Sequence, residues 1–306
     1  PKGMLFSRMG KPSPSRANSC ARIVVLILAS WIMLGCHTML AQVEVTRLNG
    51  GMPLIDSTMI GTGGNINSPC LVRVPDWLPH DERADSSANY YLYFAHHWGK
   101  NIKMAWSASP TGPYQIYEPR DGVFHIDSCP PQANLLLNNH VASPDVLVDH
   151  ENQQFIMYFH VGTPVWNNDT LYYQKTVVAT SPGGLDFNNG LQNVIICPAY
   201  ARVFQFNMCL YSITPMGLFK APSPSSPWEH SLTFSDKSPG LWTYVGHPMA
   251  LLSKNVRHMG VLKDLNDLHV VYSRSYTRSE PIEYTRIELR PLERHWRVRK
   301  PEAILF

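Results

Sequence analysis

The chain has 306 residues, with 26 Lys and Arg against 23 Asp and Glu and a formal net charge of +3 at neutral pH. A balance this close to neutral argues against a nucleic-acid-binding protein, which needs a strongly basic surface. The one short basic run, residues 294–300, ends a predicted strand and is interpreted as a solvated strand edge. We therefore expect no nucleic-acid partner.

Residues 1–41 have the pattern of a signal peptide. Basic residues precede an apolar run from Ile23 to Leu34, and small residues follow up to Ala41. The apolar run is shorter than the ~20 residues of a membrane span, so a non-cleaved anchor is the weaker alternative. We expect an exported protein, periplasmic or extracellular, with its mature domain over residues 42–306.

The sequence at the end of this segment is compatible with two kinds of processing, lipidation or simple cleavage. Leu34-Gly35-Cys36 resembles part of a bacterial lipobox, in which the cysteine receives a lipid. Cleavage after Ala41 would instead release a soluble domain. Membrane contact is expected only through such a lipid anchor, and the mature protein is expected to be a monomer.

Short strands dominate the rest of the sequence, and helical periodicity is almost absent. Runs rich in aromatic and β-branched residues, each bounded by turn formers, predict strands. Four of these runs share a common pattern, at residues 90–97, 155–160, 208–212 and 268–274. After the first two, a second strand and a Ser-Pro turn follow, which indicates a repeated unit.

The repeat predicts the fold. Its period of roughly 50–65 residues lies in or just above the range of propellers and arrays, and five such units fill residues 42–306. One unit cannot bury both of its faces, so the units must stack around an axis. The sequence therefore predicts an all-β fold, a five-bladed β-propeller. A β-sandwich or a β-helix is the alternative.

Polar residues at the edges of the predicted inner strands mark the candidate site, because polar groups at an axis must pair or face a pocket. Asn67 and Asp145 each adjoin a Ser-Pro that leads into an apolar strand. The histidines on or near these strands are His96, His97, His140, His160 and His258, with His125 further upstream. The arginines are Arg73, Arg202 and Arg257. Together they predict a site for a polar ligand, with arginines suited to carboxylate or sulfate groups.

These residues also have structural interpretations. A histidine at a strand end commonly serves as a hydrogen-bonded structural residue. Asp145 would cap a turn, and Arg73 and Arg202 would pair with surface acids. The arginines lie inside apolar strands, which favours a role at the axis.

Several motifs occur in an order that resembles the five-bladed propeller glycoside hydrolases of family 43 and its relatives. They are Asn67-Ser68-Pro69, residues 90–97, Thr111-Gly112-Pro113-Tyr114 and Ala142-Ser143-Pro144-Asp145. The resemblance covers residues 65–276. It implies a carbohydrate substrate and three carboxylates, namely an Asp base, an Asp that tunes pKa and a Glu acid.

This chain departs from that pattern at the base. Asp145 matches the pKa-tuning aspartate, but Asn67 stands where the family has its base, and an amide takes no proton from water at neutral pH. Glu229 is the one glutamate between Arg202 and His258, where the acid is expected. Inverting hydrolysis needs two carboxyl groups about 6.5–9.5 Å apart. The sequence offers a clear candidate, Asp145, for only one of these two carboxyl groups.

Three functional hypotheses follow. The first is an exported glycoside hydrolase-like enzyme in which Asp145 is the base or pKa-setting group, and His258, His96 or His160 donates the proton. In this hypothesis the sugar-binding residues are Asn67, Arg73, His97, His160, Arg202 and Arg257. A calcium ion at the propeller axis is an added expectation, drawn from related propellers.

The second hypothesis is a non-catalytic sugar-binding propeller, which explains Asn67 directly. Its sugar-stacking residues would be Trp98, Trp106, Trp166 and Tyr200. The third is a structural or protein-interaction propeller, which the repeat alone permits. That hypothesis predicts no convergent polar cluster at the axis.

Overall fold

The computed structural model describes residues 45–47, 49–129, 140–162, 174–221, 243–246, 256–274 and 281–305. The targeting segment predicted at residues 1–41 lies outside them, as do Trp166 and Glu229. The helices in the described ranges are short 3₁₀ turns, at Asn49–Gly51, His80–Glu82, Pro119–Asp121, Ile126–Ser128 and Glu293–His295. Within the same ranges, no helix has the length and apolar character needed to cross a bilayer.

The described residues form four antiparallel sheets. The first contains β1 (Asn67–Arg73), β2 (Tyr90–Ala95), β3 (Asn101–Ser107), β4 (Gln115–Tyr117) and β5 (Phe124–His125). The second contains β6 (Val141–Asp149), β7 (Gln154–Gly162), β8 (Gln174–Ser181) and β9 (Leu191–Pro198). Each of the four predicted aromatic runs forms the second strand of one sheet.

The other two sheets follow the same plan. The third contains β10 (Arg202–Phe206), β11 (Cys209–Thr214), β12 (Gly217–Lys220) and β13 (Thr243–Gly246). The fourth contains β14 (Val256–Asp264), β15 (Asp267–Arg274), β16 (Ile282–Glu288), β17 (Arg297–Val298) and β18 (Glu302–Leu305). In every sheet the first four strands lie side by side in chain order, except that β5 also pairs with β3 and β18 with β16.

The sheets stand around an axis as the blades of a propeller. Strand β1 packs against β6, β6 against β10 and β10 against β14. Contact between Ser68 Oγ and His258 Nδ1, 3.4 Å apart, joins the fourth blade to the first. The predicted all-β propeller is confirmed.

The predicted number of blades is wrong, because the described residues form four blades instead of five. The error came from dividing the chain length by the repeat period. That division counted the whole of residues 42–306 as blades, whereas residues 49–66 form turns and a 3₁₀ helix ahead of β1. The number of aromatic runs in the sequence, four, predicts the number of blades correctly.

A buried tyrosine occupies the same place in the second strand of every blade. These residues are Tyr93, Tyr158, Tyr211 and Tyr272, each 2% exposed or less. Their partners on the first strands are Cys70, Asp145, Phe204 and Met259. Asp145 therefore occupies a position that the other blades fill with a core side chain.

The core is divided among the interfaces between blades. One buried cluster joins blades 1 and 2, a second joins blades 2 and 3, and a third joins blades 3 and 4. Burial of apolar area contributes about 25 cal/mol per Å², so each interface holds its two blades together. The first strands are thereby fixed around the axis, and the side chains at their starts are brought together.

Candidate functional site

The inner strands are distorted where they begin. Bulges lie between Asn67 and Cys70 in β1, between Ala142 and Asp145 in β6 and between Val256 and Met259 in β14. Ser68, Ser143 and Tyr200 have left-handed backbones, with φ of 47°, 52° and 62°. A bulge re-aims the side chains beside it, and left-handed non-glycine residues cluster at functional sites. The distortion turns polar side chains toward one another.

Eight side chains from the four blades form a closed series of contacts, which we call the axial ring. Its members, in order of contact, are Asn67, His97, Trp98, His140, His160, Tyr200, His258 and Ser68. The ring contains histidine, amide, hydroxyl and indole groups and has no carboxylate.

Blade 1 supplies the most exposed part of the ring. Asn67 Nδ2 lies 2.7 Å from His97 Nδ1. The rings of His97 and Trp98 meet edge to face with centroids 4.7 Å apart, and the Trp98 centroid lies 6.0 Å from that of His140. Trp98 is 75% exposed, so a large aromatic face is open to solvent beside the polar groups.

Blades 2, 3 and 4 supply the more buried part. His140 Nε2 and His160 Nε2 are 3.2 Å apart. The His160 ring lies 4.7 Å from that of Tyr200, which lies 5.5 Å from the ring of His258. Ser68 Oγ donates to Asn67 Oδ1 at 2.9 Å and completes the circle.

Burial keeps two ring histidines neutral. It lowers the pKa of His160 to about 3, helped by the nearby positive charges of His140, Arg202, His258 and His97. Burial also lowers the pKa of His140. His160 Nδ1 is buried without a hydrogen bond, so a charged imidazole, which carries a proton on both nitrogens, would have no acceptor at Nδ1. His140 and His160 are therefore polar and uncharged at neutral pH.

A second set of polar groups lies one step further along the inner strands. We call Cys70, Asp145 and Arg202 the inner layer. Asp145 Oδ2 accepts from the Val203 N–H at 2.6 Å, and its Oδ1 lies 3.8 Å from Arg202 Nη1. The side chains of Asp145 and Arg202 are 11% and 6% exposed.

Arg202 connects three blades. Its Nε donates to the Met259 carbonyl at 2.6 Å and its Nη1 to the Pro144 carbonyl at 3.0 Å. The guanidinium of Arg202 is therefore already paired with main-chain carbonyls and with Asp145. It is poorly placed to bind a ligand. The inner layer ties blades 2, 3 and 4 together at the axis.

The ionisation of the inner layer reflects its burial. Burial raises the pKa of Asp145, and the charge of Arg202 with the Val203 N–H opposes the rise. Burial and the Asp145 charge raise the pKa of the Cys70 thiol to about 12. The Val146 N–H lies 3.2 Å from Cys70 Sγ, so this thiol links blades 1 and 2 as a neutral group.

Four of the predicted site residues meet in the axial ring: Asn67, His97, His160 and His258. A fifth, Arg257, precedes His258 and lies near enough for its charge to act on the pKa of Tyr200, which burial raises. These positions agree with a site at the axis. The roles predicted for them remain predictions.

Four other predicted residues lie elsewhere. Arg73 is at the far end of β1, where its side chain is 70% exposed and pairs with Asp76 at 3.2 Å. His96 lines a separate cavity in blade 1, and its Nδ1 accepts from the Trp98 N–H at 3.1 Å. Asp145 and Arg202 belong to the inner layer. A position within a strand does not show which end of that strand meets the axis. For this reason Arg73 was expected at the axis, although it lies at the opposite end of β1.

Four ring residues were not among the predicted catalytic or substrate-binding residues. His140 had been named only as part of the histidine cluster, Trp98 and Tyr200 only for sugar stacking, and Ser68 only as part of the Ser-Pro motif. The available signal for Ser68, His140 and Tyr200 was their equivalent place before or at the start of successive inner strands. Trp106, also named for stacking, packs against the core of blades 1 and 2.

The described residues do not fit the expected calcium ion. Within them, no group of three or more His, Cys, Asp or Glu side chains is arranged to hold a metal. Calcium prefers six to eight oxygen ligands, whereas the ring supplies mostly nitrogen. We therefore assign no step to calcium.

No family model matches the sequence. An uncharacterized protein of Acanthamoeba polyphaga mimivirus is 24% identical over 283 residues, which cover 87% of this chain and 75% of that protein. The identity alone gives no activity, since the function of that relative is itself uncharacterized.

Solved structures of propeller enzymes are similar to the chain. A family 43 arabinoxylan arabinofuranohydrolase from Bacillus subtilis has a TM-score of 0.52 at 16% identity, over 85% of this chain and 53% of that enzyme. An exo-β-1,3-galactanase from Clostridium thermocellum has a TM-score of 0.49 at 14% identity, over 86% and 51%. The chain thus spans about half the length of these enzymes. The likeness to the first of these enzymes supports the propeller fold and says nothing of activity.

Proposed function

We propose that this chain binds a neutral saccharide at the axial ring and does not cleave it by the two-carboxylate mechanism. The observation that carries the proposal is the ring itself, in which the exposed face of Trp98 adjoins imidazole, amide and hydroxyl groups that can form hydrogen bonds. An aromatic platform beside such groups suits a sugar, which has an apolar face and a rim of hydroxyls.

The charges near the ring support a neutral ligand. His140 and His160 are uncharged at neutral pH because of their burial. Arg73 and Arg202, two of the three arginines predicted to hold an acidic sugar, are paired away from the ring. Arg257, the third of these arginines, lies close to Tyr200 of the ring. An acidic sugar is therefore the alternative to a neutral ligand.

The placement of the carboxylates supports binding over hydrolysis. A glycosidase needs one protonated and one ionised carboxyl group facing the sugar. Among the described residues, Asp145 is the carboxylate at the start of an inner strand, and it is buried against Arg202. Asn67 stands in the ring at the place of the family's base. The likeness to an arabinoxylan-acting enzyme supports the saccharide class, since the chain shares the fold.

Titration calorimetry with four oligosaccharide series tests the proposal: arabinoxylo-, xylo-, cello- and galacturono-oligosaccharides. We expect a neutral series to bind and Trp98→Ala to weaken its affinity tenfold or more, equivalent to about 1.4 kcal/mol. Leu265→Ala is the matched control, because Leu265 is 82% exposed in the β14–β15 turn. Its affinity should equal that of the wild type.

Three results would contradict the proposal. The first is that none of the four series binds the folded protein. The second is that Trp98→Ala binds as the wild type does, which would remove the ring as the site. The third is tighter binding of the galacturono-oligosaccharides, which would assign the ligand to the acidic class and give Arg257 the main role.

A further inference from the structure

A cavity of about 350 Å³ lies in blade 1, beside the axial ring, with which it shares Trp98. Its walls come from the turn before β1, the β2–β3 turn, the start of β3, the 3₁₀ turn Pro119–Asp121 and β5. The polar and aromatic side chains that line it are Thr62, His96, Trp98, Lys100, Asn101, Lys103, Asp121 and His125. The volume is near the lower end of the ~300–1,000 Å³ of small-molecule pockets, which suits a single sugar residue.

One carboxylate in this cavity is held in place. Lys103 Nζ donates to Asp121 Oδ1 at 3.0 Å, and Asn101 Nδ2 donates to Asp121 Oδ2 at 2.9 Å. Lys103 is itself fixed by donating to the Gly61 carbonyl at 2.8 Å. The Asp121 side chain remains 61% exposed. Its oxygens are therefore oriented in advance and open to hydroxyl donors.

The charges in the cavity are balanced. Partial burial raises the pKa of Asp121, but the hydrogen bond and charge of Lys103 outweigh this and hold the pKa below its ordinary value. Lys103 pairs with Asp121, and Lys100 pairs with Asp127 at 3.3 Å. An ionised, water-facing Asp121 disfavours an acidic sugar and accepts hydrogen bonds from a neutral one.

Trp98 belongs to both the cavity and the axial ring. It lines the cavity, and its indole contacts His97 and His140 in the ring. A tight turn holds it, in which the Trp98 N–H donates to His96 Nδ1 and the Gly99 N–H donates to the His96 carbonyl, both at 3.1 Å. A ligand stacked on Trp98 therefore has polar groups on two sides.

We infer that this cavity is a second saccharide subsite, so that the ligand is a neutral chain of at least two sugar residues that extends from the axial ring across Trp98 to Asp121. The inference rests on the proposed binding of saccharide at the ring. It adds the minimum length of the ligand and a residue, Asp121, that recognises the distal sugar.

Affinity measured against chain length tests the inference. The probes are xylose, xylobiose and xylotriose, and glucose, cellobiose and cellotriose. We expect the wild type to bind the trisaccharide of its preferred series about tenfold more tightly than the monosaccharide. Asp121→Asn should abolish that gain and leave the affinity for the monosaccharide unchanged, because the monosaccharide occupies the ring.

Asp127→Asn is the matched control. Asp127 is also 61% exposed and also pairs with a lysine, but it does not line the cavity. We expect it to keep the wild-type gain with chain length. A circular dichroism spectrum of each variant shows that the fold is retained.

The outcomes separate the two proposals. If the wild type binds mono- and trisaccharide equally and Asp121→Asn changes neither affinity, the second subsite is overturned and the ring site stands. Equal losses in Asp121→Asn and Asp127→Asn would also overturn it, because the effect would then be one of surface charge. If neither these probes nor any of the four oligosaccharide series binds the wild type, the proposed function and the second subsite are both overturned.

Discussion

The axial ring and the inner layer are neighbours on the same strands but have opposite character. The ring carries two neutral histidines, His140 and His160, and an exposed indole. The inner layer instead holds a charged pair, Asp145 and Arg202, that is almost fully buried. The register explains the contrast, because Asp145 faces a buried tyrosine at a position where the other blades have Cys70, Phe204 and Met259. A charged residue near an axis is therefore not by itself part of a binding site.

The largest expected effect concerns the inner layer. Arg202→Met leaves Asp145 buried without its charged partner and removes donors from two main-chain carbonyls. Breaking a buried pair in this way costs about 3–5 kcal/mol. Urea denaturation should show that loss in the free energy of unfolding.

Arg73→Met is its matched control. Arg73 and Asp76 are closer, at 3.2 Å, but their side chains are 70% and 87% exposed. A pair in water contributes about 0–1 kcal/mol, so the control should change stability little. If the two variants were equally stable, the assignment of Arg202 to a structural pair would be wrong.

A smaller effect is expected from pH, through the ring. In the unfolded chain His160 takes up a proton below its ordinary pKa of 6.5, whereas in the folded protein its pKa is about 3. The stability that depends on neutral His160 is therefore complete above pH 6.5 and falls as the pH drops toward 3. Between pH 7 and pH 5 the loss is about 2 kcal/mol.

The comparison of His160→Gln with the wild type isolates this contribution. The variant should lose about 2 kcal/mol less than the wild type between pH 7 and pH 5, as measured by urea denaturation at both values. His150→Gln, at an exposed position in the β6–β7 turn, should retain the wild-type pH dependence. Identical pH dependence in wild type and His160→Gln would show that His160 is not buried as a neutral group.

The smallest effect concerns the turn that holds Trp98. A methyl group at Gly99 would lie 2.6 Å from His96 Cβ, so Gly99→Ala must displace one side of the turn. We expect affinity for a ring-bound saccharide to fall roughly threefold. Gly183→Ala, where the nearest atom to the new methyl is 3.8 Å away, should bind as the wild type does. An unchanged affinity in Gly99→Ala would show that the geometry of this turn does not determine how Trp98 is oriented for binding.

The sequence predicted the strands well because each blade repeats one aromatic segment, and the four buried tyrosines stand in those segments. The number of blades was wrong because chain length includes residues 49–66, which form turns. Aligning the four tyrosines would have corrected the count and would also have placed Asp145 among core positions.

The site was predicted only in part, for a physical reason. Asn67, His97, His160 and His258 were recognised because they adjoin apolar strands at the end that meets the axis. His96 and His97 are adjacent in sequence, yet one lines the blade 1 cavity and the other the ring. Which of two neighbouring side chains faces the axis depends on the turn geometry around Trp98, and no pattern in the sequence specifies it.

The release of reducing ends tests the central claim most directly, namely that the ring binds saccharide while Asp145 has a structural role. The wild type is incubated with an oligosaccharide that it binds, and the products are counted against an enzyme-free blank. We predict no release above the blank. Release by the wild type that is lost in folded Asp145→Asn would contradict the account and make Asp145 a catalytic residue.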